Sequence, residues 1–233
     1  MIVNENHKGS TCTVYDSRVS CFTELTQEQC ELVNKNKVVL HYKKGETICK
    51  QGAFASNIIY LKEGLAKVYL EGTPRNLVLN ISPEGNLIGL PSIYDGNNIF
   101  LYSAATYTDS VVEMIDIHIF KQLIRENAKF AYRVINVLNE NTVQIYGRFF
   151  CLTNKQLHGR VADILLCLGD RIFKTREFFL PLNRSELAEL TNMSTESVIR
   201  VLKDFNDDGL IEMSGKTVKI IKHDMLQRIS NVG

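Results

Sequence analysis

Glu196 and Arg200 stand four residues apart in the segment running from Arg184 to Lys203. On a helix they would share one face. A carboxylate there can accept a hydrogen bond from a cytosine amino group, and a guanidinium can donate two parallel bonds to guanine. Thr195, beside them, can touch a base edge or the backbone. Ser185, Ser194, Ser197 and Lys216 are candidates for phosphate contacts, which position a protein on a duplex without reading its sequence. The plainer reading of Glu196 with Arg200 is a surface ion pair worth a few tenths of a kcal/mol, and the two readings can coexist.

The surrounding residues meet the requirements of a helix-turn-helix over 184–203. Ala188 allows a close helix crossing, and Asn192 tolerates the positive φ of the turn. Ser194 can cap the second helix, and Leu187, Val198 and Val201 fall on positions that must be buried. Asp208-Gly209 can then end that helix. Leu210 to Met213 and Thr217 to Ile221, around Ser214-Gly215-Lys216, read as a hairpin, which makes a wing behind the recognition helix. Double-stranded DNA is therefore the expected partner, with the N-terminal end of the second helix in the major groove.

Other reactive residues are scattered. Cys12, Cys21 and Cys30 are N-terminal thiols that could ligate an iron–sulfur cluster, but eight residues separate each pair and no Cys-x-x-Cys occurs. His7, His41 and His118 are lone histidines that could hold a haem. A chain whose activity is set by abundance alone is a further alternative. No His-x-His metal pair, Gly-rich phosphate loop or Gly-x-Ser-x-Gly elbow is present, so no catalytic residue or metal site is assigned and an enzyme is not expected.

The 233 residues include 27 Lys and Arg against 26 Asp and Glu, a formal charge of +1, which excludes a generally polycationic binder. From Thr153 to Gly233 there are 12 basic and 11 acidic residues, so specific contacts by a dimer are more economical than non-specific attraction. No apolar run is long enough to cross a membrane, and the sparse cysteines of so long a chain point to a cytoplasmic protein with reduced thiols.

From Val38 to Asp116 short β-runs alternate with turns rich in Gly, Asn, Asp and Pro, the pattern of a sandwich, barrel or jelly roll. Strands are predicted at Asn57 to Leu61, Ala66 to Leu70, Leu77 to Ile81, Leu101 to Thr106 and Val111 to Ile115, with a short helix at Leu25 to Asn34 capped by Thr26. Lys129 to Leu152 reads as one long helix. Leu138, Ile145 and Leu152 recur every seven residues, interleaved with Val134 and Asn141, which predicts a homodimer seam; the alternative is a stripe packed on the chain's own β-domain. Asn154-Lys155-Gln156 is the expected hinge, and Gly159 to Leu168 the next helix. The expected organisation is an extension at 1–21, an effector-sensing β-domain at 22–128, a dimerisation helix and hinge at 129–153, and a winged helix-turn-helix domain at 154–233. The fold class is α+β.

This order of parts resembles the CRP/FNR family of bacterial transcription regulators, from about Phe22 to Ile221. Lys44-Gly45-Glu46, Gln51-Gly52 and Tyr60-Leu61-Lys62-Glu63-Gly64 look like its barrel turns. Gly159-Arg160-Val161-Ala162 looks like its post-hinge helix, and Ser194 to Arg200 is similar to its recognition helix. The resemblance implies a cyclic-nucleotide-binding-like jelly roll and a homodimer on a pseudo-palindromic operator. It also implies contacts with RNA polymerase, and DNA binding controlled by an effector or redox signal. The alternative is a β-barrel module acting through protein contacts. Cyclic-nucleotide binders of this family hold ribose with a Gly-Glu pair and phosphate with an Arg-Ser pair. Here Leu90 stands at the Glu position and Tyr102 at the Arg position. A phosphodiester buried without a cation loses its hydration uncompensated, so cAMP is not expected. A pocket formed by Leu87, Gly89, Leu90, Tyr102 and Ser103 would suit a more apolar ligand.

Overall fold

Thr26 opens the first helix, α1 (Gln27–Lys35), through a reciprocal capping box with Gln29, as its position before an amphipathic run predicts. In this computed structural model residues 21–232 are described, and they divide into two units, residues 21–142 and 143–232. Cys12, His7 and all but the last residue of the 1–21 extension lie outside the described residues.

The first unit is built from eight strands: β1 (Lys37–Tyr42), β2 (Thr47–Cys49), β3 (Asn57–Glu63), β4 (Leu65–Leu70), β5 (Leu77–Pro83), β6 (Leu87–Ile88), β7 (Ser103–Thr106) and β8 (Ser110–Asp116). They form two four-stranded antiparallel sheets, ordered β1-β8-β3-β6 and β2-β7-β4-β5, the two layers of a jelly roll. Leu101 and Tyr102 precede the strand predicted to include them. Two helices follow, α2 (Ile117–Glu126) and α3 (Ala128–Asn154). The sequence reading does not include α2, which starts where the Asp116 carboxylate accepts the amide N–H groups of His118 and Ile119.

Strand alternation divides the core of this unit. Ile59 and Leu61 point between the sheets, where Val68, Ala104 and Val112 meet them. Ile58 and Tyr60 point the other way, into a second cluster with Phe120 and Leu123 of α2 and Phe130, Val134 and Val137 of α3. One face of the β1-β8-β3-β6 sheet is thus covered by its partner sheet and the other by helices.

The second unit contains the C-terminal half of α3, then α4 (Leu157–Cys167), which runs into a π-helical stretch at Leu168–Phe173. β9 (Glu177–Phe179), α5 (Arg184–Thr191), α6 (Thr195–Asp207), β10 (Ile211–Ser214), β11 (Thr217–Ile220) and α7 (His223–Val232) complete it. The strands form one antiparallel sheet, ordered β10-β11-β9. The break between α3 and α4 falls at Lys155 and Gln156, within the expected hinge. Lys155 is not a loose linker residue: its ammonium lies 2.8 Å from an Asp163 carboxylate oxygen and 3.0 Å from the Ser230 hydroxyl. Both charged side chains are buried. The pair ties the helix break to α4 and α7. Cys30, Cys49 and Cys151 are free thiols. Cys167 is disulfide-bonded, which departs from the expectation of reduced thiols throughout.

Candidate functional site

Asn183 and Glu186 form a capping box at the start of α5, and the helix ends at Asn192, which adopts φ 51° and ψ 48°. Asparagine is among the few residues that enter this left-handed region at small cost, so the turn closes without glycine. Ser194 then caps α6, its Oγ accepting the Ser197 amide at 3.1 Å. Its hydroxyl also donates to Ser197 Oγ at 3.1 Å. Ser194 thereby shapes the start of the helix.

Val198, Val201, Leu202 and Phe205 form the buried stripe of α6 at helical spacing. The opposite arc carries Glu196, Arg200 and Lys203, all exposed, with Thr195 at its edge. Ser185 is exposed on the second residue of α5, and Ser197 is half-buried beside the cap. Lys216 is exposed at the wing turn, with its ammonium 5.8 Å from the ring centroid of Phe179. Behind the wing, a Cβ on Gly169 would lie 3.1 Å from Ile220 and 3.2 Å from Phe178, so the absence of a side chain there lets the strands approach the π-helical turn. The second unit thus holds a stiff, capped helix with a polar outer face beside a β-hairpin.

The expected dimer seam is corrected in part. Val134 is 2% exposed and belongs to the helix-covered core of the first unit, and Leu138 packs against that core. Asn141 and Leu152 are half-buried, and Ile145 is exposed. The strongly exposed apolar residues of α3 are instead Tyr132 and Ile135 in its first half, and Val143, Tyr146, Phe149 and Phe150 in its second. Phe149 is 70% exposed and Tyr146 67%. Tyr132, Ile135, Asn139, Thr142, Tyr146 and Phe149 follow one another at intervals of three and four, a heptad stripe that sequence reading could have found among the aromatics.

Of the residues expected to line an effector pocket, Leu87 and Leu90 are buried in the helix-facing core, whereas Tyr102 packs against the inter-sheet core. The Gly89 amide donates to the Tyr102 hydroxyl at 2.8 Å. Burial pushes the Tyr102 hydroxyl pKa up, so it stays neutral. Ser103 Oγ donates to Glu71 at 2.7 Å and accepts the Gln51 amide at 2.8 Å. The Gly89 amide, the Tyr102 hydroxyl and the Ser103 hydroxyl are thus each engaged within the unit.

No three His, Cys, Asp or Glu side chains lie together in a metal-binding group among the described residues. Burial pushes the Cys49 thiol up to about 12 and the Cys151 thiol up to about 11, so neither is a ready thiolate. His41 and His118 are exposed on β1 and α2. No helix among the described residues is long and apolar enough to cross a membrane.

Comparison with known proteins matches residues 39–127 to the cyclic nucleotide-binding domain and residues 159–229 to the Crp-like helix-turn-helix domain. Electron transport regulator A of Shewanella oneidensis is 23% identical over 205 residues, covering 86% of this chain and 80% of its own. FixK2 from Bradyrhizobium japonicum has a similar fold, with a TM-score of 0.75 at 17% identity over 83% of this chain and 96% of that one. A crp/fnr-family protein from Eubacterium rectale gives 0.73 at 20% identity, over 92% and 99%. The curated relatives are regulators of transcription. With a jelly roll, a long helix and a winged helix-turn-helix in this order, the chain belongs to the CRP/FNR family of DNA-binding transcription regulators.

Proposed function

We propose that two copies of the chain join along α3 and set their α6 helices into successive major grooves of a pseudo-palindromic operator. The half-sites lie about one helical turn apart, as for other dimers that carry this motif. Arg200 reads guanine through O6 and N7, and Glu196 accepts from a cytosine amino group. Thr195 meets a base edge or the backbone, while Ser185, Ser194, Ser197 and Lys216 meet phosphates and hold the register. The observation that carries this reading is the pair Glu196 and Arg200, exposed one turn apart at the capped end of a helix whose other face is fully buried.

The seam is the exposed stripe of Tyr132, Ile135, Val143, Tyr146 and Phe149, with Leu152 and Ile145 at its margins. Large aromatic side chains left in water on one face of a helix are stabilised by a second such face. The dimer works in the cytoplasm with RNA polymerase as its further partner, by likeness to the family. The β-unit senses a signal other than a cyclic nucleotide, because Leu90 and Tyr102 supply no charge for a phosphodiester and the Gly89 amide is already bonded.

Selection from a random duplex library with the full chain tests the reading. The expected product is a two-fold symmetric consensus that Arg200→Ala degrades at one position per half-site. Enrichment that is identical for the parent and the variant would refute the groove assignment. Calorimetric titration with cAMP should give no heat; micromolar binding would overturn the effector argument.

A further inference from the structure

The reading face of α6 carries one large apolar side chain. Ile199 is 50% exposed, while the other large apolar residues of the helix, Val198, Val201, Leu202 and Phe205, are buried. It lies one turn beyond Thr195, as Arg200 lies one turn beyond Glu196, so two parallel rows of side chains run along the N-terminal half of the helix. Ile199 also lines a shallow groove whose other apolar members are Leu202 and Met213 and whose cations are Arg184 and Lys203. An apolar strip bordered by cations matches a duplex where a base methyl lies near backbone phosphates. In the major groove the apolar feature of a base pair is the thymine C5-methyl.

We infer that Ile199 is a specificity-determining residue that reads a thymine methyl in each half-site, within roughly two base pairs of the guanine met by Arg200. The inference rests on the proposed groove assignment and adds to it a base that hydrogen bonding alone would leave unread. Its partner is a methyl group, so the contact distinguishes thymine from uracil. The hydrogen bonds of Glu196 and Arg200 do not do that. Lys203 and Arg184 flank the contact and can neutralise neighbouring phosphates.

The test uses the full chain and the duplex obtained by library selection. Each thymine of the consensus is replaced in turn by uracil, which removes the methyl and keeps every hydrogen-bonding group. At one symmetric pair of positions affinity should fall about fourfold per half-site, the equivalent of the ~0.8 kcal/mol carried by one buried carbon. Ile199→Ala should lose that sensitivity, and Ile199→Val, which keeps a branched carbon, should retain part of it. Both substitutions are at an exposed site and leave the folded core untouched. If no thymine responds to uracil, the inference is wrong while the groove assignment stands. If Ile199→Ala remains as sensitive as the parent, another group reads the methyl and the inference is equally wrong. A chain that retains duplexes at low salt yet enriches no common sequence overturns both readings.

Discussion

Replacing Lys155 by Met removes the cation from a buried pair and leaves the Asp163 carboxylate behind. The native ammonium is 2.8 Å from Asp163 Oδ1, and the Ser230 hydroxyl is 3.1 Å from the same oxygen. After substitution that hydroxyl remains as a donor, but the ammonium at 2.8 Å is gone. Breaking a buried ion pair on one side costs about 3–5 kcal/mol, and the surviving hydroxyl places the expected loss near 3 kcal/mol. For a unit of this size a loss of 1 kcal/mol lowers the midpoint by roughly 4–8 °C, so the C-terminal unit should melt about 15 °C earlier. Differential scanning calorimetry on the full chain at neutral pH reads this directly. The double replacement Lys155→Met with Asp163→Leu removes both charges and should recover most of the loss, since apolar isosteres of a buried pair are often neutral or stabilising. A single variant that melts within a few degrees of the parent would refute the reasoning. So would a double variant as unstable as the single one, because the damage would then come from packing at the helix break.

Further outcomes are expected. Arg200→Ala should lose about 1–3 kcal/mol of discrimination at one base position without changing the melting temperature, measured by competition between consensus and mismatched duplexes. Phe149→Glu should give the monomer in light scattering while the jelly roll stays folded, whereas Val134→Ala should destabilise the first unit by about 2 kcal/mol and leave the dimer intact. Tyr102→Phe removes the acceptor of the Gly89 amide and should cost about 1–3 kcal/mol of stability in denaturant titration. Cys49 and Cys151, raised to about 12 and about 11, should resist iodoacetamide at pH 8 until the chain is unfolded, as mass spectrometry of labelled peptides would read.

The helix-turn-helix was legible because its determinants are local. Ser194 caps, Asn192 turns and Val198 and Val201 bury within a span of twenty residues, and each requirement can be checked against a residue type. The central strands β3, β4, β5 and β8 were legible for the same reason, since turn residues bracket each one. β2 and β6 are too short to carry a pattern: three residues and two. The burial of Val134 was not legible because α3 is apolar on two faces. Leu138, Ile145 and Leu152 form a seven-residue repeat, and so do Tyr132, Asn139 and Tyr146. Only packing shows that the face containing Val134 is claimed by Phe120 and Phe130. The effector-pocket residues were placed by resemblance, and no sequence pattern reveals that the Tyr102 hydroxyl bonds the Gly89 amide.

The pairing of β1 with β8 has a consequence for synthesis. Lys37 lies opposite Ile115 and Tyr42 opposite Ser110, so β1 must wait on the ribosome for β8, the last strand described in its unit. At roughly 5–20 residues per second that wait lasts several seconds. During it Val38, Val39 and Leu40 have no ladder partner, while β4 can already pair with the adjoining β5. The nascent chain therefore exposes a sticky edge for longer than it takes to form its inner hairpin. A short-lived chaperone client is the expected state of this protein at birth, and slowing translation between β1 and β8 should raise its aggregated fraction more than slowing it after residue 116.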